Sequence, residues 1–304
     1  MQEPVTLLLT SSRDQTTEML EPYFRSQVIR IDLDKMHEAA FSLRAMEFSY
    51  AGSVYEIKSL SAVYWRKPSD PIFDVEHVDQ LQEFEYLQRL YAIRSLSTLA
   101  KWFGVWHLVD PLYERHFPKP LQLELARPYF KIPDWGVFVG NRTFDHSGIV
   151  SKALSSSPVK NGRYLVTTRI PNPSELDPNY TWFLQKEVDA GQDATIVFCC
   201  DRMWGFALDR SKDDSWVDWR VVTDNHRPGH WAPIEIPVLL QTSVLSYMQL
   251  LGVKFARLDF LIGRDYEWWF LEANMNGQFA WLDPANELGI LSHIASMAES
   301  PTTI

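Results

Sequence analysis

Two cysteines, Cys199 and Cys200, are the only thiols in the chain, and they are adjacent. Neighbours on a strand point to opposite faces, so the pair is a poor joint metal ligand and reads as two ordinary buried thiols. No run of eighteen apolar residues occurs, so no helical membrane span is expected. The opening Met1-Gln2-Glu3-Pro4 lacks a basic segment, and the apolar run Val5–Leu9 is too brief for a signal sequence. The expected location is therefore cytoplasmic. Positive charge is scarce as well. A formal charge of −10 argues against a general nucleic-acid binder, which needs a basic face, but leaves room for a local basic pocket. There is no Gly-x-x-x-x-Gly-Lys-Ser/Thr loop, no His-Glu-x-x-His helix and no Ser/His/Asp signature. His226 and His230 are four apart, but Pro228 and Gly229 would break any helix aligning them, so they read as loop histidines.

What remains is the composition of a soluble globular chain, 46% hydrophobic and 22% charged over 304 residues, long enough for two or three subdomains. Val5–Leu9, Val28–Leu33 and Ala62–Arg66 read as strands, with a helix over Ser11–Arg25. This β-α-β opening predicts a small doubly wound N-terminal domain. Phe41–Tyr50 and Ser53–Lys58 read as a hairpin around Gly52. Helical spacing of Leu81, Phe84, Leu87 and Tyr91 predicts a long helix over Asp74–Phe103 with those residues on one face. Leu121, Leu125 and Tyr129 do the same for Lys119–Tyr129. Val137–Phe206 is mostly strands and turns, with a flexible turn around Ser155–Ser157 and Asn161-Gly162. An amphipathic helix over Ile236–Leu251, with Leu239, Val244, Tyr247 and Met248 on one face, precedes strands Lys254–Ile262 and Glu267–Asn274. A last helix is expected over Ala285–Met297.

Those last two strands carry the chemistry. Side chains alternate along a strand, so Arg257 and Asp259 share a face of one, and Glu272 and Asn274 share a face of the other. Gly263–Tyr266 is a short turn, which makes the strands antiparallel neighbours. One surface then presents two carboxylates, an amide oxygen and a guanidinium. Hard oxygen ligands suit Mg²⁺, and the guanidinium suits a phosphate or a developing negative charge. Polar residues of two edge strands facing solvent are the alternative. Glu272 and Asn274, however, follow the apolar run Trp268–Leu271, and buried acids need a partner or a metal.

Phe270-Leu-Glu-Ala-Asn-Met-Asn-Gly-Gln resembles the closing motif of ATP-grasp enzymes, and within them that of the microviridin-type, or graspetide, peptide ligases. Three further segments are similar to the same family in the same order: Val63-Tyr-Trp-Arg-Lys-Pro, Lys119-Pro-Leu-Gln-Leu-Glu-Leu-Ala with Lys131-Ile-Pro-Asp, and Asp218-Trp219-Arg220. The resemblance implies an α/β (α+β) ATP-grasp fold in three parts. These are a doubly wound pre-ATP-grasp domain over residues 1–118, a central subdomain over 119–185, and a C-terminal subdomain with the Mg²⁺ site over 186–304. It implies ATP and Mg²⁺ as cofactors. Lys119 and Lys152 would hold phosphates, and the hinge residues Gln185, Lys186 and Val188 the adenine edge. Asp259, Glu272 and Asn274 would hold Mg²⁺.

The chain departs from the family where an Asp-x-Arg pattern would put an arginine on phosphate: it has Asp193-Ala194-Thr195. Either Arg257 or Arg220 supplies that catalytic charge, or phosphate is held more weakly. Lys186 stands where an acid is more usual, and the loop after Lys152 is rich in serine. Arg66, after a core strand, is expected to bind an acidic side chain of a peptide substrate or to form a structural ion pair. The implied reaction activates a carboxylate as an acyl phosphate for attack by a hydroxyl or amine, giving macrocyclic esters or amides within a ribosomally made precursor peptide that carries a leader. Two alternatives stay open, a ligase joining free amino acids or extending a peptide terminus, and a peptide-binding module without turnover. The partners implied are the precursor peptide and further copies of the chain, as a dimer or higher homo-oligomer, with no nucleic acid and no membrane.

Overall fold

Short apolar runs at the start of the chain are buried on both faces, which is what a parallel sheet covered by helices demands. The computed structural model describes residues 4–68, 80–139, 148–154, 166–172, 176–210, 217–218 and 231–300. The chain divides into two units, Met1–Glu114 with Met275–Ile304, and Arg115–Asn274.

In the first unit, β1 (Val5–Thr10), β2 (Gln27–Asp32), β6 (Ala62–Trp65) and β7 (Trp106–His107) form a parallel sheet in the order β2-β1-β6-β7. Leu7, Leu8 and Leu9 are buried at its centre. The order reverses between β1 and β6, as in a doubly wound sheet. Helix α1 (Gln15–Leu20) is capped by Asp14, whose carboxylate accepts from the Thr16 amide at 3.2 Å. It is shorter than expected, because Pro22 removes an amide donor and the chain finishes in a 3₁₀ turn over Glu21–Tyr23. The expected strand Phe41–Tyr50 is broken by a turn at Met46 (φ 57°). The hairpin thus becomes three strands, β3 (Ala39–Ser42), β4 (Glu47–Tyr50) and β5 (Ser53–Glu56), with Gly52 in the last turn.

Helix α2 (Gln80–Trp102) is present, but the face expected to be buried is not. Leu81 and Phe84 are 64% and 57% exposed, and Leu87 and Tyr91 are exposed too, while Ile93, Leu96 and Ala100 line the core. The expected start of this helix, 74–79, lies outside the described residues. The last helix, Ile290–Glu299, starts after Gly289 (φ 76°) and buries Ile290, Leu291 and Ile294 within this unit.

The second unit holds two antiparallel sheets. Strands β8 (Trp135–Val139), β9 (Ile149–Lys152), β10 (Thr168–Ile170) and β11 (Thr181–Lys186) run in the order β10-β9-β11-β8. Strands β12 (Ala190–Cys199), β13 (Arg202–Asp209), β14 (Ala232–Ile234), β15 (Phe255–Gly263) and β16 (Trp268–Asn274) run in the order β14-β13-β12-β15-β16. Helix α3 (Lys119–Ala126) buries Gln122, Leu123 and Ala126, and leaves the expected core residue Leu121 exposed. Helix α4 (Val238–Leu251) buries Val244, Tyr247, Met248 and Leu251 as expected, but Leu239 is 84% exposed. In both helices the misplaced leucine lies in the first turn. Phe130 packs against Phe270 at 5.1 Å, Tyr247 at 5.3 Å and Phe260 at 5.5 Å between ring centroids, so one aromatic cluster joins α4 to β15 and β16. The Ser155–Ser157 and Asn161-Gly162 turn and both loop histidines lie outside the described residues. No helix among the described residues is long and apolar enough to cross a membrane.

Candidate active site

Strands β15 and β16 are antiparallel partners with Asp259 opposite Glu272 and Arg257 opposite Asn274, the arrangement expected from alternation. Leu258 and Phe260 are buried, while Arg257 and Asp259 are partly exposed, so the polar pair shares the open face. A register shift after Asp259 pairs Phe260 with Phe270 and leaves Leu271 as the extra residue. Such a bulge re-aims side chains locally.

Helix α3 sets the height of β16. Lys119 and Gln122 are one turn apart and lie on the same face. The Ala273 amide donates to Gln122 Oε1 at 2.9 Å, between Glu272 and Asn274. Gln122 Nε2 donates to the Phe117 carbonyl at 2.8 Å, and Tyr247 Oη donates to the Gln122 carbonyl at 3.0 Å. Lys119 Nζ reaches Glu272 Oε2 at 2.9 Å and the Ala153 carbonyl at 3.0 Å, tying the end of β9 to β16. Gln122 lies in the Lys119–Ala126 segment that resembles the family, but no role was expected of it. Its signal was a polar residue on a helix face otherwise filled by Leu123 and Ala126.

Asp259 has its own partners. Arg257 Nε donates to Asp259 Oδ1 at 3.1 Å and Nη2 to Oδ2 at 3.0 Å, and Thr195 Oγ1 donates to Oδ1 at 2.9 Å from the facing position on β12. Thr195 therefore stands beside the carboxylate, and Arg257 already supplies a guanidinium there. A second arginine was missed. Arg210, just after β13, clamps Asp193 through Nε–Oδ2 and Nη2–Oδ1 bonds of 2.7 Å each. The β12–β13 hairpin register, with Asp193 opposite Leu208, is what brings Arg210 within reach. Asp218, also buried, accepts from the Thr167 amide at 2.9 Å. Arg220 lies outside the described residues.

These groups feel one another. Loss of solvent around Lys152 pushes its ammonium down to about 8, against the opposing pull of Glu272, Asp218 and Asp259. Desolvation alone would raise Glu272, but Lys119 by charge and hydrogen bond, with Lys152 and Arg257, holds it below the usual carboxylate range. Burial raises Asp193 despite its Arg210 partner.

The sheet of β8–β11 contributes a second surface. Lys152 pairs with Phe183, and Val150 and Trp135 flank Gln185, so Lys152, Val150, Phe183 and Gln185 share one face. Val150 and Phe183 make it apolar. Gln185 is 1% exposed and its Nε2 has no hydrogen-bond partner among the described residues. A buried donor left unpaired is costly and marks a place for an acceptor from outside the chain. The Lys186 amide is engaged by the Asp134 carbonyl at 2.7 Å, and Val188 lies in the connection to β12.

No family model matches the chain, and no curated protein matches it. Solved structures do. The macrocyclase MdnC from Microcystis aeruginosa, bound with its precursor peptide MdnA, is 21% identical at a TM-score of 0.78 over 97% of this chain and 99% of that one. An ATP-grasp ligase associated with ribosomal peptides from Chryseobacterium gregarium, in complex with ADP and a leader and core peptide, is 18% identical at 0.78 over 97% and 95%. The ATP-grasp ligase PsnB, with minimal precursor, Mg and ADP, is 16% identical at 0.68 over 99% of each chain. This chain has the ATP-grasp fold.

Within the ATP-grasp frame, Lys119, Lys152, Arg257, Asp259, Glu272 and Asn274 are gathered in the second unit, with Gln185 on the same sheet face as Lys152. The donor set fits Mg²⁺ held with a nucleotide. Among the described residues no group of three or more His, Cys, Asp and Glu side chains is placed for a metal. Two carboxylates and an amide thus need phosphate oxygens to complete a shell, as Mg²⁺ commonly does. Arg66 is elsewhere. It is 0% exposed in the first unit, paired with Asp14 at 3.2 Å. It donates to the Asn276 carbonyl at 2.8 Å, Asn276 Oδ1 at 2.9 Å, the Gly277 carbonyl at 3.3 Å and Gln278 Oε1. A buried guanidinium requires such pairing. The geometry matches the structural ion pair of the two roles expected for it.

Proposed function

We propose that this chain is an ATP-dependent ligase that closes macrocyclic ester or amide bonds between side chains of a ribosomally made precursor peptide. The observation that carries the reading is the opposed pair Asp259 and Glu272, each bound by a cation, with Lys119 also bonded to Ala153 next to Lys152. The fold it shares with ligases solved with precursor peptides supports this substrate class. ATP is the co-substrate. Lys119 and Lys152 would act as mobile point charges on its phosphates. The Gln185 amide and the backbone of Lys186 and Val188 would hold the adenine edge over the apolar Val150–Phe183 surface. Asp259, Glu272 and Asn274 would hold Mg²⁺, which when bound neutralises charge on the phosphate oxygens.

Arg257, bonded to Asp259, would stabilise charge as the phosphoryl group passes to a peptide carboxylate. A peptide hydroxyl or amine then displaces phosphate from the activated carboxyl, and a protein nucleophile has no part in this route. Arg66 is assigned to positioning the Asn276–Gln278 segment. Cytoplasmic location and homo-oligomeric assembly complete the reading.

The test is co-expression with a neighbouring short peptide rich in Thr/Ser and Asp/Glu near its C-terminus. Intact-mass measurement should find one water lost per bond formed. An unmodified peptide, together with ATP-dependent coupling of free amino acids by the purified protein, would overturn the reading in favour of a free amino-acid ligase.

A further inference from the structure

Both carboxylates proposed to hold a divalent cation are already neutralised from within the chain. Asp259 receives the two-point bond from Arg257 at 3.1 and 3.0 Å and the Thr195 hydroxyl at 2.9 Å. Glu272 receives Lys119 at 2.9 Å, and the same ammonium is steadied by the Ala153 carbonyl at 3.0 Å. Lys152 adds a third positive charge that acts on Glu272 and Asp259, with buried Asp218 as the further anion. The side chains of Arg257, Asp259, Lys119 and Glu272 are all partly withdrawn from solvent, where charges interact more strongly than in bulk water.

A bare divalent cation entering this cluster must expel Arg257 and Lys119 from their carboxylates. It would break both of these ion pairs and raise the local positive charge, which is unfavourable on both counts. A cation arriving with a polyphosphate meets a different balance, because phosphate oxygens accept the guanidinium and the ammonium as they leave. We propose that Arg257 and Lys119 are exchangeable counter-ions, holding Asp259 and Glu272 until a metal–polyphosphate complex takes the carboxylates and passes both cations to its phosphates. The site therefore discriminates against free divalent metal, and the two ligands bind with strong positive coupling. This rests on the nucleotide site proposed above. Thr195 fits the scheme, since a hydroxyl can stay on Asp259 through the exchange, whereas an arginine at that position would be one more cation to displace.

The experiment is titration of the full chain with Mn²⁺ alone, followed by electron paramagnetic resonance of the free ion, with and without a non-hydrolysable ATP analogue. The wild type should bind Mn²⁺ at least about tenfold more weakly without the analogue than with it. Arg257→Met and Lys119→Met, each checked for folding by circular dichroism, should gain about tenfold in affinity for Mn²⁺ alone. Both should lose affinity for the analogue. Unchanged Mn²⁺ affinity in either folded variant, or tight binding of bare Mn²⁺ by the wild type, overturns the counter-ion exchange while leaving the nucleotide site intact. Failure of the wild type to bind the analogue in the presence of Mn²⁺ overturns the nucleotide site and the exchange together.

Discussion

Lys152 shows how far a single side chain was legible. As a lone lysine it looked like any solvated surface residue, and only its resemblance to a phosphate-binding position singled it out. The fold gives the physical content. It ends β9 opposite Phe183, near Glu272 and Asp259, and its ammonium titrates at about 8 instead of in the usual lysine range. Lowered affinity for its proton means that the charge is present below this value and lost as pH rises through it. If the charge holds phosphate, ATP binding by the wild type should weaken between about pH 7 and about pH 9, and Lys152→Arg should flatten the profile. Calorimetry across that range checks this, and an equally steep decline in Lys152→Arg would assign the dependence to another group. Arg210 was not legible. Its role depends on the register of the β12–β13 hairpin, which places it on Asp193 from 17 positions away. Nothing in the local pattern around Arg210 reveals that pairing.

At the scale of elements, α3 and β16 work as one piece. Gln122 takes the Ala273 amide between Glu272 and Asn274 and gives its own amide to Phe117, so helix and strand share a fixed register. Gln122→Leu leaves one buried donor and one carbonyl unpaired, and should cost about 1–3 kcal/mol of stability. Ligation should fall further than stability does, because Lys119 and Glu272 lose their alignment. Denaturant melts and single-turnover kinetics on the same preparation separate the two, and full turnover in a destabilised Gln122→Leu would remove the positioning role. Strands were read well from the sequence, since alternation and short apolar runs report burial directly, and β1, β2, β6, β15 and β16 lie where expected. Helix faces were read less well. Leu81 and Phe84 of α2 recur at helical spacing yet are exposed, because periodicity reveals a stripe without saying which neighbour covers it. The broken strand at Met46 turned on a positive φ that no glycine announced.

Over the whole molecule, one contiguous motif serves both units. The chain passes from the second unit to the first between Asn274 and Met275. Glu272 and Asn274 belong to the charged site, while Asn276, Gly277 and Gln278 are gripped by Arg66, with Thr16 also donating to Gln278. Arg66 of Trp-Arg-Lys-Pro thus meets the Asn-Gly-Gln end of the later motif across 210 positions of sequence. The motif was legible as a pattern, but its division of labour was not, because that follows from where each half packs. The proposed reaction transfers a phosphoryl group from ATP to a peptide carboxylate. Its most direct test uses a precursor whose reacting carboxylates carry oxygen-18, with ATP, Mg²⁺ and the purified protein. Mass spectrometry of the released phosphate should find one labelled oxygen per bond closed, and no label with Glu272→Gln. Bond closure with unlabelled phosphate, or undiminished label transfer by Glu272→Gln, would contradict it.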